Sequence, residues 1–194
     1  MRLFVAIEIP AAVAATTLDL IARLQRTAVK LAPQSRITWL TAERLHITVR
    51  FIGHVEEPKA DAVRAALAAT PFAERFDLTI AGVGTLPARG TPRVISVGVT
   101  AGRDDLVALE KLVSRQLRIA DVTPEERPFN PHLTLARVRE AAGLRAAALL
   151  EGLRDVVIGT IPVEAITLFE SRLSPKGPTY VALQRTQLRS GPVR

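Results

Sequence analysis

Apolar side chains recur along this chain at two spacings, and the two alternate. Leu3–Ile9 is an almost unbroken apolar run of strand length, and Pro10 follows where the opening turn of a helix tolerates it. Val13, Leu20, Ile21, Leu24 and Leu31 form an apolar stripe at helical period, which predicts a helix over Ala11–Leu31 with Pro33 as its stop. Ile37–Leu40 and His46–Phe51 read as strands, the second ending at Gly53, and the alanine-rich segment Pro58–Ala69 reads as a helix. Phe76–Val83 and Arg93–Val99 are predicted strands separated by a loop rich in glycine and proline. A second amphipathic helix is predicted over Asp104–Ile119, on Leu106, Leu109, Leu112, Val113 and Leu117. After a Pro124–Pro131 loop, the pattern predicts a strand His132–Val138, a helix Ala141–Leu153, strands Val157–Glu170 and Thr179–Leu188, and a frayed tail after Arg189.

One regularity joins these elements. His46 and His132 stand 86 positions apart, and the same offset carries the Pro58–Ala69 helix onto the Gly143–Leu153 region, Phe76 onto Pro162 and Arg93 onto Thr179. Strand, helix, strand, strand therefore recurs in one order, and each unit is preceded by a strand and a helix. This is the mark of an internal duplication of one supersecondary unit.

Composition narrows the reading. At 194 residues, 48% of them hydrophobic, the chain has enough apolar surface for one large domain or two intertwined lobes, and too much for a disordered one. It has no cysteine, which excludes disulfides, a thiolate nucleophile and every cysteine-based metal site. The net charge of +7 admits an anionic partner, but arginine outnumbers lysine 22 to 4 and no block of five like charges occurs, so biased composition alone could produce it. Glu8 and Pro10 interrupt the first apolar run too early for an export signal. The longest uncharged stretch, Leu78–Ala88, is 11 residues long, so no membrane span is expected and a cytoplasmic location is. Gly82-Val83-Gly84 has neither pattern of a nucleotide-phosphate loop and reads as a turn, and no ATP dependence is expected.

The candidate chemistry lies in the histidines. Of three, two open the same pattern, His46-Ile47-Thr48-Val49 and His132-Leu133-Thr134-Leu135. On a strand, alternate side chains share a face, so each imidazole has a threonine hydroxyl as its neighbour while the aliphatic residues enter the other face. Two converging imidazoles can serve as acid and base near neutral pH, and two hydroxyls can donate to non-bridging phosphate oxygens. The pattern suits a phosphodiester. A metal site competes, since histidine is a common ligand, but neither motif supplies a third ligand, and no metal or other cofactor is expected. His54, with no matching threonine, reads as a surface residue.

At these residues the chain resembles the two-histidine phosphoesterase superfamily, and within it the bacterial and archaeal RNA 2',3'-cyclic phosphodiesterases, also called 2'-5' RNA ligases. The residues that carry the likeness are Arg2-Leu3-Phe4-Val5-Ala6-Ile7, Trp39 with Leu45 to Gly53, Phe129 to Arg137, and Leu168 to Leu173 with Gly177 and Tyr180. The resemblance implies an α+β, bilobal fold: two related lobes, each an antiparallel sheet backed by helices, enclose an active-site cleft. Residues 1–194 would form a single two-lobed domain with one motif from each duplicated unit, at 46–49 and 132–135. It further implies His46 as proton donor, His132 as proton acceptor, and Thr48 and Thr134 as phosphate ligands. Arg137 would hold the nucleotide or its phosphate, or else be a solvated strand-end residue. Phe51 would line a base pocket, although its apolar type suits the core better. The expected partner is an RNA or oligonucleotide with a 2',3'-cyclic phosphate end, the reaction its metal-free hydrolysis to a 2'-phosphate, and the enzyme a monomer. Ligation to a 2'-5' linkage, a small cyclic or 2'-5'-linked nucleotide as substrate, and a binding module without turnover are the alternatives.

Overall fold

A computed structural model describes residues 1–69, 73–175 and 177–190. Its strands form where apolar residues alternate or run together: β1 (Arg2–Glu8), β2 (Arg36–Trp39), β3 (His46–His54), β4 (Phe76–Leu86), β5 (Val94–Ala101), β6 (His132–Glu140), β7 (Val157–Val163), β8 (Ala165–Arg172) and β9 (Thr179–Gln187). Helices α1 (Ala11–Leu31), α2 (Glu57–Ala68), α3 (Arg103–Ile119) and the single turn α4 (Ala146–Leu149) connect them, with a short 3-10 turn at Ala42–Arg44. The stripes Val13, Leu20, Ile21, Leu24 on α1 and Leu106, Leu109, Val113, Leu117 on α3 are buried, and they share one core with Leu3, Val5 and Ile7 of β1 and with Ile47 and Leu133. Among the described residues no helix is long and apolar enough to cross a membrane.

All strand pairings are antiparallel, in the order β7-β4-β5-β6-β3-β1-β8-β9, with β2 added to β6. The two lobes meet between β3 and β6, which touch through one ladder pair, Ile47 opposite Leu133. These residues are related by the 86-residue offset, so the quasi-twofold relation of the duplicated units runs through this seam. The units do not map one to a lobe, however. β4 follows the first motif in the chain yet pairs with β5, and β8 follows the second yet pairs with β1. Each lobe therefore takes strands from both halves.

Three expectations are corrected. The predicted strand Val157–Glu170 is two strands broken at Glu164: Val163 pairs with Phe76 in one lobe, whereas Ala165 pairs with Gln187 in the other. No glycine or proline marks the break, because the chain changes lobes there without a tight turn. The predicted helix Ala141–Leu153 shrinks to Ala146–Leu149, since Gly143 (φ +70°) and Gly152 (φ +69°) adopt left-handed conformations that end a helix on either side despite the alanines between them. Gly82-Val83-Gly84 lies within β4 rather than at a turn, where Gly82 coincides with a register shift against β5. The tail expected to fray falls largely on residues 191–194, which lie outside the described residues.

Leu133 is fully enclosed at the seam. Leu133→Ala should lower unfolding free energy by about 2–5 kcal/mol, the range for a leucine whose cavity cannot collapse. Urea denaturation measures it, and a loss below about 1 kcal/mol would contradict the packing described for β3 and β6.

Candidate active site

Residues directly opposite in an antiparallel ladder point to the same face. With Ile47 and Leu133 paired and both fully buried in the core, His46, Thr48, His132 and Thr134 are all turned to the other face, against the seam. All four are half-buried. The structure thus brings the two motifs together on one surface, one from each side.

Both strands then break their alternation at the same place. Along β3 the partners of Val5 and Ala6 are Arg50 and Thr48, which leaves Val49 unpaired, and along β6 the partners of Ile95 and Ser96 are Ala136 and Thr134, which leaves Leu135 unpaired. A bulge spends one extra residue and shifts the following side chains to the opposite face. Phe51 and Arg137 consequently return to the face of the histidines. Phe51 is 52% exposed, not in the core, which corrects the expectation drawn from its apolar type. Arg137 is exposed too, but it sits within β6 rather than at its end, and its charge acts on His46.

The imidazoles are held in matching ways. His46 Nδ1 lies 2.8 Å from the Arg44 carbonyl, and His132 Nδ1 lies 2.7 Å from the Asn130 carbonyl. A carbonyl only accepts, so each Nδ1 carries the proton and donates it, which leaves each Nε2 as the nitrogen that can take or give a proton. Arg44 and Asn130 are themselves one offset of 86 apart, a signal that sequence reading passed over. Neither the Thr48 nor the Thr134 hydroxyl has a hydrogen-bond partner among the described residues. Arg50, 5% exposed, reaches under β3 and donates from Nη2 to the Thr123 carbonyl at 2.7 Å, tying down the loop that leads to Asn130 and His132.

The surroundings of the two motifs differ. Beside His46, Phe4 lies at 5.0 Å between ring centroids and Tyr180 stands edge-on at 5.1 Å; Phe4 also stacks on Phe169 at 5.3 Å and faces Phe51 at 6.2 Å. Phe4, Phe169 and Tyr180 were legible as part of a family pattern but not as site residues. The signal that could have found Phe4 is alternation within β1, where Leu3, Val5 and Ile7 enter the core and Phe4 cannot. No ring contact of this kind surrounds the second motif among the described residues; in its ladder Ser96 lies opposite Thr134 and Gly98 opposite His132, where Ala6 lies opposite Thr48 and Glu8 opposite His46. His54 is exposed at the end of β3, as expected.

The aromatic enclosure acts on the titration of His46. Burial against the aromatic side chains lowers the His46 pKa from 6.5 to about 4, opposed by the hydrogen bond to the Arg44 carbonyl and reinforced by the positive charges of Arg137 and His132. In the empty cleft His46 is therefore neutral at pH 7. A negative charge beside the ring favours its protonated form. Among the described residues no group of three or more His, Asp or Glu side chains is gathered as a metal site.

Two segments of the chain, residues 12–96 and 97–180, each match the model for LigT-like phosphoesterases. A protein of Aeropyrum pernix named RNA 2',3'-cyclic phosphodiesterase is 40% identical over 149 residues, covering 76% of this chain and 84% of that protein. One of the same name from Thermus thermophilus is 31% identical over 206 residues, covering 97% and 91%. Among solved structures, a Thermus thermophilus protein superposes with a TM-score of 0.74 at 28% identity, covering 98% and 99% of the two chains. Escherichia coli LigT, crystallised with 3'-AMP, superposes with a TM-score of 0.72 at 25% identity, covering 96% and 97%.

The ring resonances of His46 should titrate with a midpoint near pH 4 in the ligand-free protein, followed by NMR between pH 3 and 8. Addition of inorganic phosphate should move that midpoint upward. An ordinary midpoint near 6.5 without ligand would show that the aromatic wall does not desolvate the ring.

Proposed function

The chain belongs to the LigT-like phosphoesterase family, and from that membership we propose that it hydrolyses the 2',3'-cyclic phosphate at an RNA end to a 2'-phosphate. The observation that supports this reading best is the shared face: two imidazoles with their Nε2 atoms available, each beside a threonine hydroxyl, meet across the β3–β6 seam. The relatives that bear the phosphodiesterase name match most of the chain, and the nucleotide crystallised with LigT carries a ribose phosphate.

In the proposed reaction Thr48, Thr134 and Arg137 bind the non-bridging oxygens of the cyclic phosphodiester. His132 Nε2 takes a proton from water as the water oxygen bonds to phosphorus. His46 Nε2–H gives its proton to the departing 3' oxygen as the P–O3' bond breaks. The phosphate stays on the 2' oxygen. His46 enters this cycle through the substrate itself: the bound phosphate charge raises its proton affinity from the low value of the empty cleft, so it becomes an acid where an acid is needed. Phe51, with Phe4 and Tyr180 behind it, offers the terminal base an apolar surface. Both motifs come from one chain, so the proposed catalyst is a monomer. Ligation uses the same proton transfers in the same direction, with a 5'-hydroxyl in place of water as the nucleophile, and leaves a 2'-5' linkage.

Incubation with an oligonucleotide ending in a 2',3'-cyclic phosphate, in the presence of a chelator, should yield the 2'-phosphomonoester. His46→Ala and His132→Ala should each reduce turnover by roughly 10²–10⁴-fold. A 3'-phosphate product would overturn the assigned bond cleavage, and near-wild-type rates in both variants would overturn the site.

A further inference from the structure

The two carbonyls that orient the imidazoles are supported in different ways. The Arg44 carbonyl, which holds His46, belongs to a hydrogen-bonded 3-10 turn, in which Arg44 N donates to the Thr41 carbonyl at 3.0 Å and Leu45 N to the Ala42 carbonyl at 3.1 Å. The Asn130 carbonyl, which holds His132, lies in the irregular stretch between α3 and β6. Among the described residues, residues 123–131 make no backbone–backbone hydrogen bond. Only two hydrogen bonds reach their backbone: Arg50 Nη2 donates to the Thr123 carbonyl, and His132 itself to the Asn130 carbonyl, each at 2.7 Å. Residues 123–128 are exposed. A stretch so sparsely bonded opens easily, and with it the carbonyl that orients the ring.

Two features stiffen it. Phe129 packs partly against the core, and prolines stand at 124, 128 and 131. A proline fixes its own φ and biases the residue before it to extended backbone, so Thr123, Arg127 and Asn130 are restricted as well. A stretch of this kind passes a hold on Thr123 along to Asn130. Arg50 supplies that hold from a position that the fold otherwise gives to an apolar side chain. It lies opposite Val5 in the ladder, on the core side of β3, and is 5% exposed. The residue one offset of 86 later, Ala136, takes the same place in β6, opposite Ile95, and is fully buried. Burying a guanidinium there is costly, and its Nε has no hydrogen-bond partner among the described residues. A buried charge gives the fold little that an aliphatic side chain would not, so the reason for Arg50 lies in the hydrogen bond it makes.

We infer that Arg50 is a positioning residue for His132: a strut from the strand of the first motif that sets, through Thr123 and the proline-rich stretch, the carbonyl by which the ring of the second motif is oriented. The first motif needs no such strut, because its carbonyl is part of a turn, and β6 accordingly has alanine at the matching position. Arg50 lies on the core side of β3 and acts only through the loop. Without its hydrogen bond the His132 ring is free to take the other tautomer, with the proton on Nε2, the atom that has to accept one in the proposed reaction. The inference rests on the proposed function for the use made of that ring, whereas the orientation itself is a property of the ligand-free protein.

Long-range proton–nitrogen NMR of the imidazole rings in the ligand-free protein at pH 8 reads the tautomer of each ring, and His46 serves as the internal control. In the unmodified protein both rings should carry the proton on Nδ1. In R50M, which fills the site with an aliphatic chain, the Nε2–H form should predominate at His132 while His46 is unchanged; R50K, which keeps a donor, should restore Nδ1–H at His132. P124G/P128G, at two exposed positions that leave the core intact, should release His132 in the same way, and it decides the matter if R50M does not fold. On an oligonucleotide ending in a 2',3'-cyclic phosphate, kcat of R50M should fall by roughly 10²-fold, the cost of about a 1 Å misplacement of a reacting group, with KM nearly unchanged. A His132 ring still protonated on Nδ1 in the variants, or a change shared equally by His46, would overturn the strut. Absence of turnover in the unmodified protein, with both tautomers as expected, would instead count against the proposed function.

Discussion

The organisation of the cleft depends on the single antiparallel pair between Ile47 and Leu133. Because these two residues face each other and point into the core, the parity of a strand turns both histidines and both threonines to the opposite surface. A slip of one residue on either strand would bury an imidazole and expose a leucine or isoleucine. The burial of two aliphatic side chains is thus what registers the histidine pair, and hydrophobic packing on one face fixes the arrangement of polar groups on the other. The paired bulges at Val49 and Leu135 extend this logic outward, since each returns the next long side chain, Phe51 or Arg137, to the same surface.

Duplication explains why the two halves match in backbone, and divergence explains why they differ in chemistry. Both imidazoles are oriented by the carbonyl two residues earlier, so both present Nε2. Yet the first is enclosed by Phe4 and Tyr180, and no such ring contact is made by His132 among the described residues. Desolvation by that aromatic enclosure lowers the proton affinity of His46.

Much of this was legible in the sequence. The motifs, their offset and the helices α1, α2 and α3 follow from periodicity and spacing, because local burial patterns leave a direct trace. The traffic of strands between lobes does not: β7 and β8 read as one strand since nothing local records that Val163 and Ala165 belong to opposite ends of the sheet. Phe51 illustrates a second limit. Its side chain is apolar, and only a bulge, which depends on the neighbouring strand, brings it out of the core.

The central claim is that His46 and His132 act as one proton-transferring pair. The pH dependence of kcat/KM on a 2',3'-cyclic-phosphate oligonucleotide tests it most directly, taken for the unmodified protein and for each single alanine variant at its residual rate. A bell-shaped profile that loses one limb when His46 is replaced and the other limb when His132 is replaced is the predicted result. A bell retained in both variants would assign the titrating groups elsewhere and contradict the account.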